Sequence, residues 1–286
     1  MARIVTSKDR KVEFGEGLPT VIIGERINPT GKKRLAEDLS KGKLDVLIQE
    51  ALSQREAGAD ILDVNVAASG VDETTMLPKA VLKVLEVSEL PVCIDSSNPE
   101  ALKKALEVYP YKALVNSVSG QEKSLKAVLP LVKKFGASVV GLTMDDSGIP
   151  KTADKRLDVA KRIIETAKSY GVPQEDIVID CLCLAQAAET NSGVVTLETL
   201  TRVSKELGVA TVLGVSNISF GMPDRKIINL SFLAQAISQG LNAAIVDPTI
   251  KGVVETILAS DFLAGRDSYG KRYLKYYREK MKAKKD

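Results

Sequence analysis

Eight short β-rich runs, each followed by a stretch of helical periodicity, predict a (β/α)₈ barrel within residues 21–264. Two further observations support that fold class. The strand runs are nearly continuous in Val, Ile and Leu, as expected of a parallel sheet covered by helices. The helical stretches stop at Gly58, Gly136, Gly171, Gly208 and Gly240, where a left-handed residue costs least. An open doubly wound sheet is the competing architecture, but no dinucleotide-type glycine loop accompanies the repeats.

The elements follow in order. Strands are predicted at 21–24, 60–65, 91–95, 112–116, 138–143, 176–180, 211–215 and 243–246. Helices are predicted near 42–57, 72–88, 98–108, 122–135, 153–170, 195–207, 225–239 and 250–264. Asn98-Pro99 reads as a cap followed by proline at the first helical position. Residues 1–20 form a polar extension with turn signals at Ser7-Lys8-Asp9 and Gly15-Glu16-Gly17, suited to a small hairpin under the barrel. Residues 265–286 read as a basic helical tail striped by Tyr269, Tyr273, Tyr276 and Tyr277, a face for the chain's own barrel or a second subunit.

Composition removes whole classes of chemistry. The chain has no histidine, which excludes Ser-His-Asp and Cys-His catalysis and any imidazole ligand to a metal. Its three cysteines, Cys93, Cys181 and Cys183, are an odd number without a secretory signal and read as reduced thiols. No apolar run is long enough to span a bilayer. A soluble, cytoplasmic protein without nucleic-acid or membrane partners is expected. Residues 266–286 carry nine Lys/Arg against three Asp/Glu, so the net charge of +3 hides a slightly acidic body.

In such barrels the site lies at the C-terminal ends of the strands. The residues falling there are Glu25 and Asn28, Asp63 and Asn65, Asp95 to Asn98, Asn116-Ser117, Thr143 to Asp145, Asp180, Ser216-Asn217 and Asp247. Short polar side chains at these junctions often serve as caps or Asx-turns, and Asn98 and Asp247 are expected to be caps. Capping alone does not need such residues after nearly every strand. No lysine sits at the strand ends, which disfavours Schiff-base chemistry. A ring of carboxylates and carboxamides suits either a hard cation or a flat heterocycle rich in N–H donors, and composition does not choose between them.

Ordered strings do choose. They are Ile23-Gly24-Glu25-Arg26-Ile27-Asn28, Ile94-Asp95-Ser96-Ser97-Asn98, Leu114-Val115-Asn116-Ser117, Gly141-Leu142-Thr143-Met144 and Gly214-Val215-Ser216-Asn217-Ile218-Ser219. With the stretch from Arg225 to Asp247 they make the chain resemble the pterin-binding methyltransferases over about residues 20–264. The nearest likeness is to the methyltetrahydrofolate:corrinoid/iron-sulfur protein methyltransferases. The folate domain of cobalamin-dependent methionine synthases is more distantly similar.

The resemblance implies that Asp180 pairs with the 2-amino-N3-H edge of the pterin and that Asp95 and Asn116 take the opposite edge. Asn217 would be the catalytic amide beside N5, with Ser216 next to it. Arg225 would touch the folate tail or the rim, and Asp63, Asn65, Glu25 and Asn28 would form the surrounding polar shell. It further implies methyltetrahydrofolate as substrate, a corrinoid supplied by a partner protein, no metal bound by this chain, and a homodimer. A non-catalytic folate-binding subunit and a dihydropteroate synthase-like enzyme are the alternatives. The sequence departs from its relatives at Cys181-Leu182-Cys183, where proline commonly follows the aspartate, and at Phe220, where a polar residue is usual.

Overall fold

A computed structural model describes residues 3–282; the first two residues of the extension and the last four of the tail lie outside the described residues. The chain opens with an antiparallel hairpin of β1 (Arg3–Thr6) and β2 (Lys11–Phe14). Val5 and Phe14 are fully buried and join Ile23, Ile61, Cys93 and Leu114 in the barrel interior. Thr6 N donates to Lys112 O at 3.0 Å and Ser138 Oγ to Ile4 O at 3.3 Å, so the hairpin seals the end where the strands begin.

Eight parallel strands then close into a barrel in the order β10-β3-β4-β5-β6-β7-β8-β9. They are β3 (Val21–Ile27), β4 (Ile61–Val64), β5 (Val92–Asp95), β6 (Leu114–Ser119), β7 (Ser138–Leu142), β8 (Ile177–Asp180), β9 (Ala210–Gly214) and β10 (Ala243–Val246). The outer layer comprises α1 (Lys33–Ser40), α2 (Asp45–Glu56), α3 (Glu73–Ser88), α4 (Pro99–Val108) and α5 (Glu122–Phe135). It continues through α6 (Ala153–Ser169), α7 (Ser192–Arg202), α8 (Arg225–Ser238), α9 (Val253–Leu263) and α10 (Lys271–Lys282). Alternate strand residues fill the interior, while the other faces meet the helices in a second, larger apolar layer. The predicted TIM barrel is therefore the observed fold.

Local chemistry explains most element ends. Asn98 accepts from Glu100 N at 3.0 Å, capping α4 with Pro99 at its first position. Asp72 and Thr152 cap α3 and α6 in the same way. The structure corrects the sequence reading at three places. Helix α1, buried through Leu35 and Leu39, precedes the first predicted helix. The 195–207 prediction becomes α7 from Ser192 and a π-helical turn over Val203–Leu207. Strand β6 runs on to Ser119, with a shift in its pairing to β7 between Asn116 and Val118, so Asn116 lies inside the strand.

The start of β3 is tied to the last helices by one buried carboxylate. Asp261 accepts from Thr20 N at 2.9 Å, Thr20 Oγ1 at 2.7 Å and Arg272 Nη1 at 3.0 Å. No helix among the described residues is long and apolar enough to cross a membrane.

Candidate functional site

Strands β4, β5 and β6 bring four of the sequence-predicted residues into one hydrogen-bonded network. Register sets Asp95 against Asn116 and Asp63 against Cys93. Asn65 Nδ2 donates to Asp95 Oδ2 at 3.0 Å, and Asn116 Nδ2 donates to Asp63 Oδ1 at 3.2 Å. Burial, then the neighbouring Asp95 charge, raise the Asp63 carboxyl well above the usual carboxylate range. Asp95 is pushed up to about 6 by burial, with hydrogen bonds from Asn65 and Asp63 holding it down. Two close carboxyls in a dry site cannot both ionise cheaply, so Asp63 keeps the proton and Asp95 is the acceptor.

Asp180 stands at the end of β8, on the wall beyond β7. It is buried, and its Oδ1 accepts from Leu182 N at 2.8 Å. Its other oxygen has no hydrogen-bond partner among the described residues. Burial lifts its carboxyl to about 7, against the pull of that N–H and of nearby Arg156. Arg156, which sequence reasoning missed, reaches in from α6. Its Nη1 donates to Cys181 O at 2.9 Å and Leu182 O at 2.7 Å, fixing the loop after Asp180. An arginine in the first turn of a charged helix gives no signal of that role. Cys181 and Cys183 are free thiols packed in the outer apolar layer.

Asn217 lies in a 3₁₀ turn, Val215–Ser219, directly after β9. Its carboxamide makes no hydrogen bond to the described residues. Gly214 gives it room: a Cβ there would stand 3.1 Å from Asn217 Nδ2. Arg225 braces the turn, its Nε donating to Ser219 Oγ at 2.9 Å and its Nη2 to Ser216 O at 3.0 Å. The guanidinium also lies 4.5 Å from the Phe220 ring centroid.

Ser216 Oγ donates to Glu25 Oε2 at 3.3 Å and so links the turn to β3. Burial raises Glu25 to about 7, with the Ser216 hydroxyl lowering it and Asp247 raising it. Next to Glu25, Arg26 pairs with Glu50 of α2 and, at 2.7 Å, with Asp247. Lys32 donates to Arg26 O, so a lysine does approach the mouth, although from a loop rather than a strand end.

Several predicted positions are taken by turns. Asn28 Oδ1 accepts from Thr30 N at 3.0 Å, and Asp145 Oδ1 accepts from Ser147 N at 2.8 Å. Asp247 is not a helix cap: it accepts from Thr249 N at 2.9 Å in its own turn, and Gly252 caps α9. Thr143 is buried, its hydroxyl donating to Asp180 O at 3.0 Å.

A cleft of about 420 Å³ opens beside the network, lined by Asp95, Ser96, Asn116, Leu142 and Met144 among others. That volume accommodates a bicyclic ring. A larger cavity of about 490 Å³, lined by Glu16, Gln239 and Arg266, lacks any convergent set of buried carboxyls. The chemistry therefore belongs to the mouth. Buried carboxyls and the free Asn217 carboxamide suit a planar ring with N–H donors on its edges.

Comparison with known proteins agrees with that geometry. The family described as "Pterin binding enzyme" matches residues 24–247. A methylcorrinoid:tetrahydrofolate methyltransferase of Eubacterium limosum is 33% identical over 91% of this chain and 96% of its own length. A methionine synthase of Mycobacterium tuberculosis is 31% identical over 85% of this chain, which spans only 21% of that enzyme. A Yersinia pestis DHPS structure with a pterine-sulfa conjugate superimposes with a TM-score of 0.68 at 16% identity, covering 91% of this chain and 98% of that one. At that identity it shares the fold alone. The matched span contains every predicted site residue, and the chain belongs to the pterin-binding enzyme family.

Proposed function

We propose that this protein moves a methyl group between N5 of methyltetrahydrofolate and the cobalt of a corrinoid carried by a partner protein. The observation carrying this reading is the Asn217 carboxamide, free of protein partners, on the same mouth as the buried acceptors Asp180 and Asp95. The methylcorrinoid:tetrahydrofolate methyltransferase relative, aligned over nearly both whole lengths, supports it.

The residues divide the work by chemistry. Asp180 offers a free carboxylate oxygen to the 2-amino-N3-H edge, where two parallel donors meet one acceptor group. Asp95 and Asn116 serve the opposite edge, with Asp63 and Asn65 holding their orientation. Asn217 donates to N5, where charge changes as the carbon–nitrogen bond forms or breaks. Cobalt supplies or accepts the methyl group, so the chain needs no nucleophile of its own and the absence of histidine is no obstacle. Arg225 fixes the Asn217 turn through Ser216 and Ser219. The partner docks at the mouth only for the transfer, and the chain works as a homodimer.

The test is single-turnover transfer from methyltetrahydrofolate to chemically reduced Co(I) cobalamin, and to the same corrinoid on a carrier protein. Formation of methylcobalamin on either acceptor is expected. Tight folate binding without transfer to either would overturn the reading in favour of a binding subunit.

A further inference from the structure

Asn217 can stabilise charge at N5, but a carboxamide carries no acid proton at neutral pH, so another group must exchange the proton. The mouth offers one. Behind Ser216 lies a cavity of about 30 Å³ whose polar wall is formed by Glu25, Ser216, Asn229 and Asp247. Asn229 projects from α8, and its amide oxygen is buried with no hydrogen-bond partner among the described residues. Leaving such a buried acceptor unpaired destabilises the fold unless a water reaches it. No direct hydrogen bond joins it to Glu25; the rest of the lining is apolar, from Val215, Leu230, Leu233, Val246, Ile250 and Val253, so a water that fits the cavity has only these four polar residues to bond to.

Resting on the methyltransferase reading, we propose that Glu25 exchanges the proton with the folate N5. Asn229 is then a positioning residue that holds the neutral Glu25 carboxyl through one water in this cavity. The surroundings of Glu25 are mixed in charge. Asp247 faces it from the turn after β10, Asp63 from β4, Lys32 from the loop after β3, Arg225 from the start of α8, and the Ser216 hydroxyl from the turn after β9. Burial dominates and brings Glu25 to about 7, where both protonation states are populated at neutral pH.

Atoms and electrons balance in both directions. In transfer to the folate, the N5–carbon bond forms as the carbon–cobalt bond breaks, and that bond's electron pair stays with cobalt. N5 then sheds the proton it carried as a secondary amine, and the Glu25 carboxylate takes it. In transfer from the folate, neutral Glu25 returns the proton as the N5–carbon bond breaks and the methyl carbon bonds to cobalt.

The experiment titrates whole protein carrying ¹³C-carboxyl glutamate by NMR, with the Glu25 signal identified by its loss in Glu25→Gln. A midpoint near 7 is expected in the natural protein. Asn229→Ala removes the acceptor and admits solvent, both of which favour the anion, so its midpoint falls by about one pH unit. Asn229→Ser keeps a smaller acceptor, gives an intermediate value, and serves if the alanine variant does not fold. Methyl-transfer rates carry the same inflection, displaced equally in Asn229→Ala with unchanged folate affinity and absent in Glu25→Gln. A Glu25 midpoint in the ordinary carboxylate range, or one that Asn229→Ala leaves in place, overturns the proposal. The expected titration without any methyl transfer instead overturns the methyltransferase reading, while the coupling of Glu25 to Asn229 stands.

Discussion

At the scale of single residues, the site is governed by what burial does to carboxyl groups. Asp180, held near 7, is neutral in the free protein below that pH and ionised above it. Only the ionised form accepts both donors of a 2-amino-N3-H edge. Folate affinity should therefore rise from pH 6 to pH 8, as calorimetric titration across that range would register. Stability moves the other way. The unfolded carboxyl ionises near 3.9, so the ionised side chain burdens the fold increasingly up to about 7 and fully above it. Asp180→Asn should stabilise the unliganded protein by about 2–4 kcal/mol at pH 8 and leave it unchanged near pH 3, measured by urea unfolding. Gly214 is a second lever. A Cβ 3.1 Å from Asn217 Nδ2 displaces the amide by a few tenths of an ångström, so Gly214→Ala should slow transfer about 10-fold or more while folate still binds. These residue types were legible in the sequence as a polar set at strand ends. Which of them were turns was not, because Asn28 and Asp145 are committed to Thr30 and Ser147 through backbone geometry that no spacing reveals.

At the scale of elements, periodicity located all eight barrel strands because each is an apolar run between polar loops. It failed where packing overrides local pattern. Helix α1 has only Leu35 and Leu39 to bury and lies close before a second helix, so its signal merged with the loop. Strand β6 outruns its apolar run because its polar end, Asn116 to Ser119, pairs with β7 despite composition. Arg156 and Asn229 escaped notice for a related reason: each sits on a helix whose sequence explains itself without reference to the mouth. The junction at Asp261 belongs to this scale as well. It joins the residue before β3 to α9 and α10, and removing a buried, charge-paired carboxylate leaves Arg272 and Thr20 without their acceptor. Asp261→Ala should cost about 3–5 kcal/mol in denaturant unfolding, with the folate site intact in the protein that remains folded.

At the scale of the whole molecule, eight strands converge their polar ends on one mouth while the hairpin seals the other end. Helix α10 stands outside that closure. None of its side chains is fully buried, and Tyr273, Leu274 and Tyr277 are exposed. Ending the chain after Gly270 removes both the packing of α10 and the Arg272 partner of buried Asp261, so it should lower Tm by roughly 2–4 °C for each kcal/mol lost and leave methyl transfer in place. The resemblance carried by the ordered motifs points to the same family as the matched span from 24 to 247. The central claim is that Asn217 acts on the reacting nitrogen while the carboxylates hold the ring. Its most direct test measures methyltetrahydrofolate affinity and single-turnover methyl transfer side by side in the natural protein and in Asn217→Ala. Near-normal affinity with transfer slowed by about 10²–10³ is the expected result. Affinity and transfer diminished in equal measure, or transfer left unchanged, would contradict it.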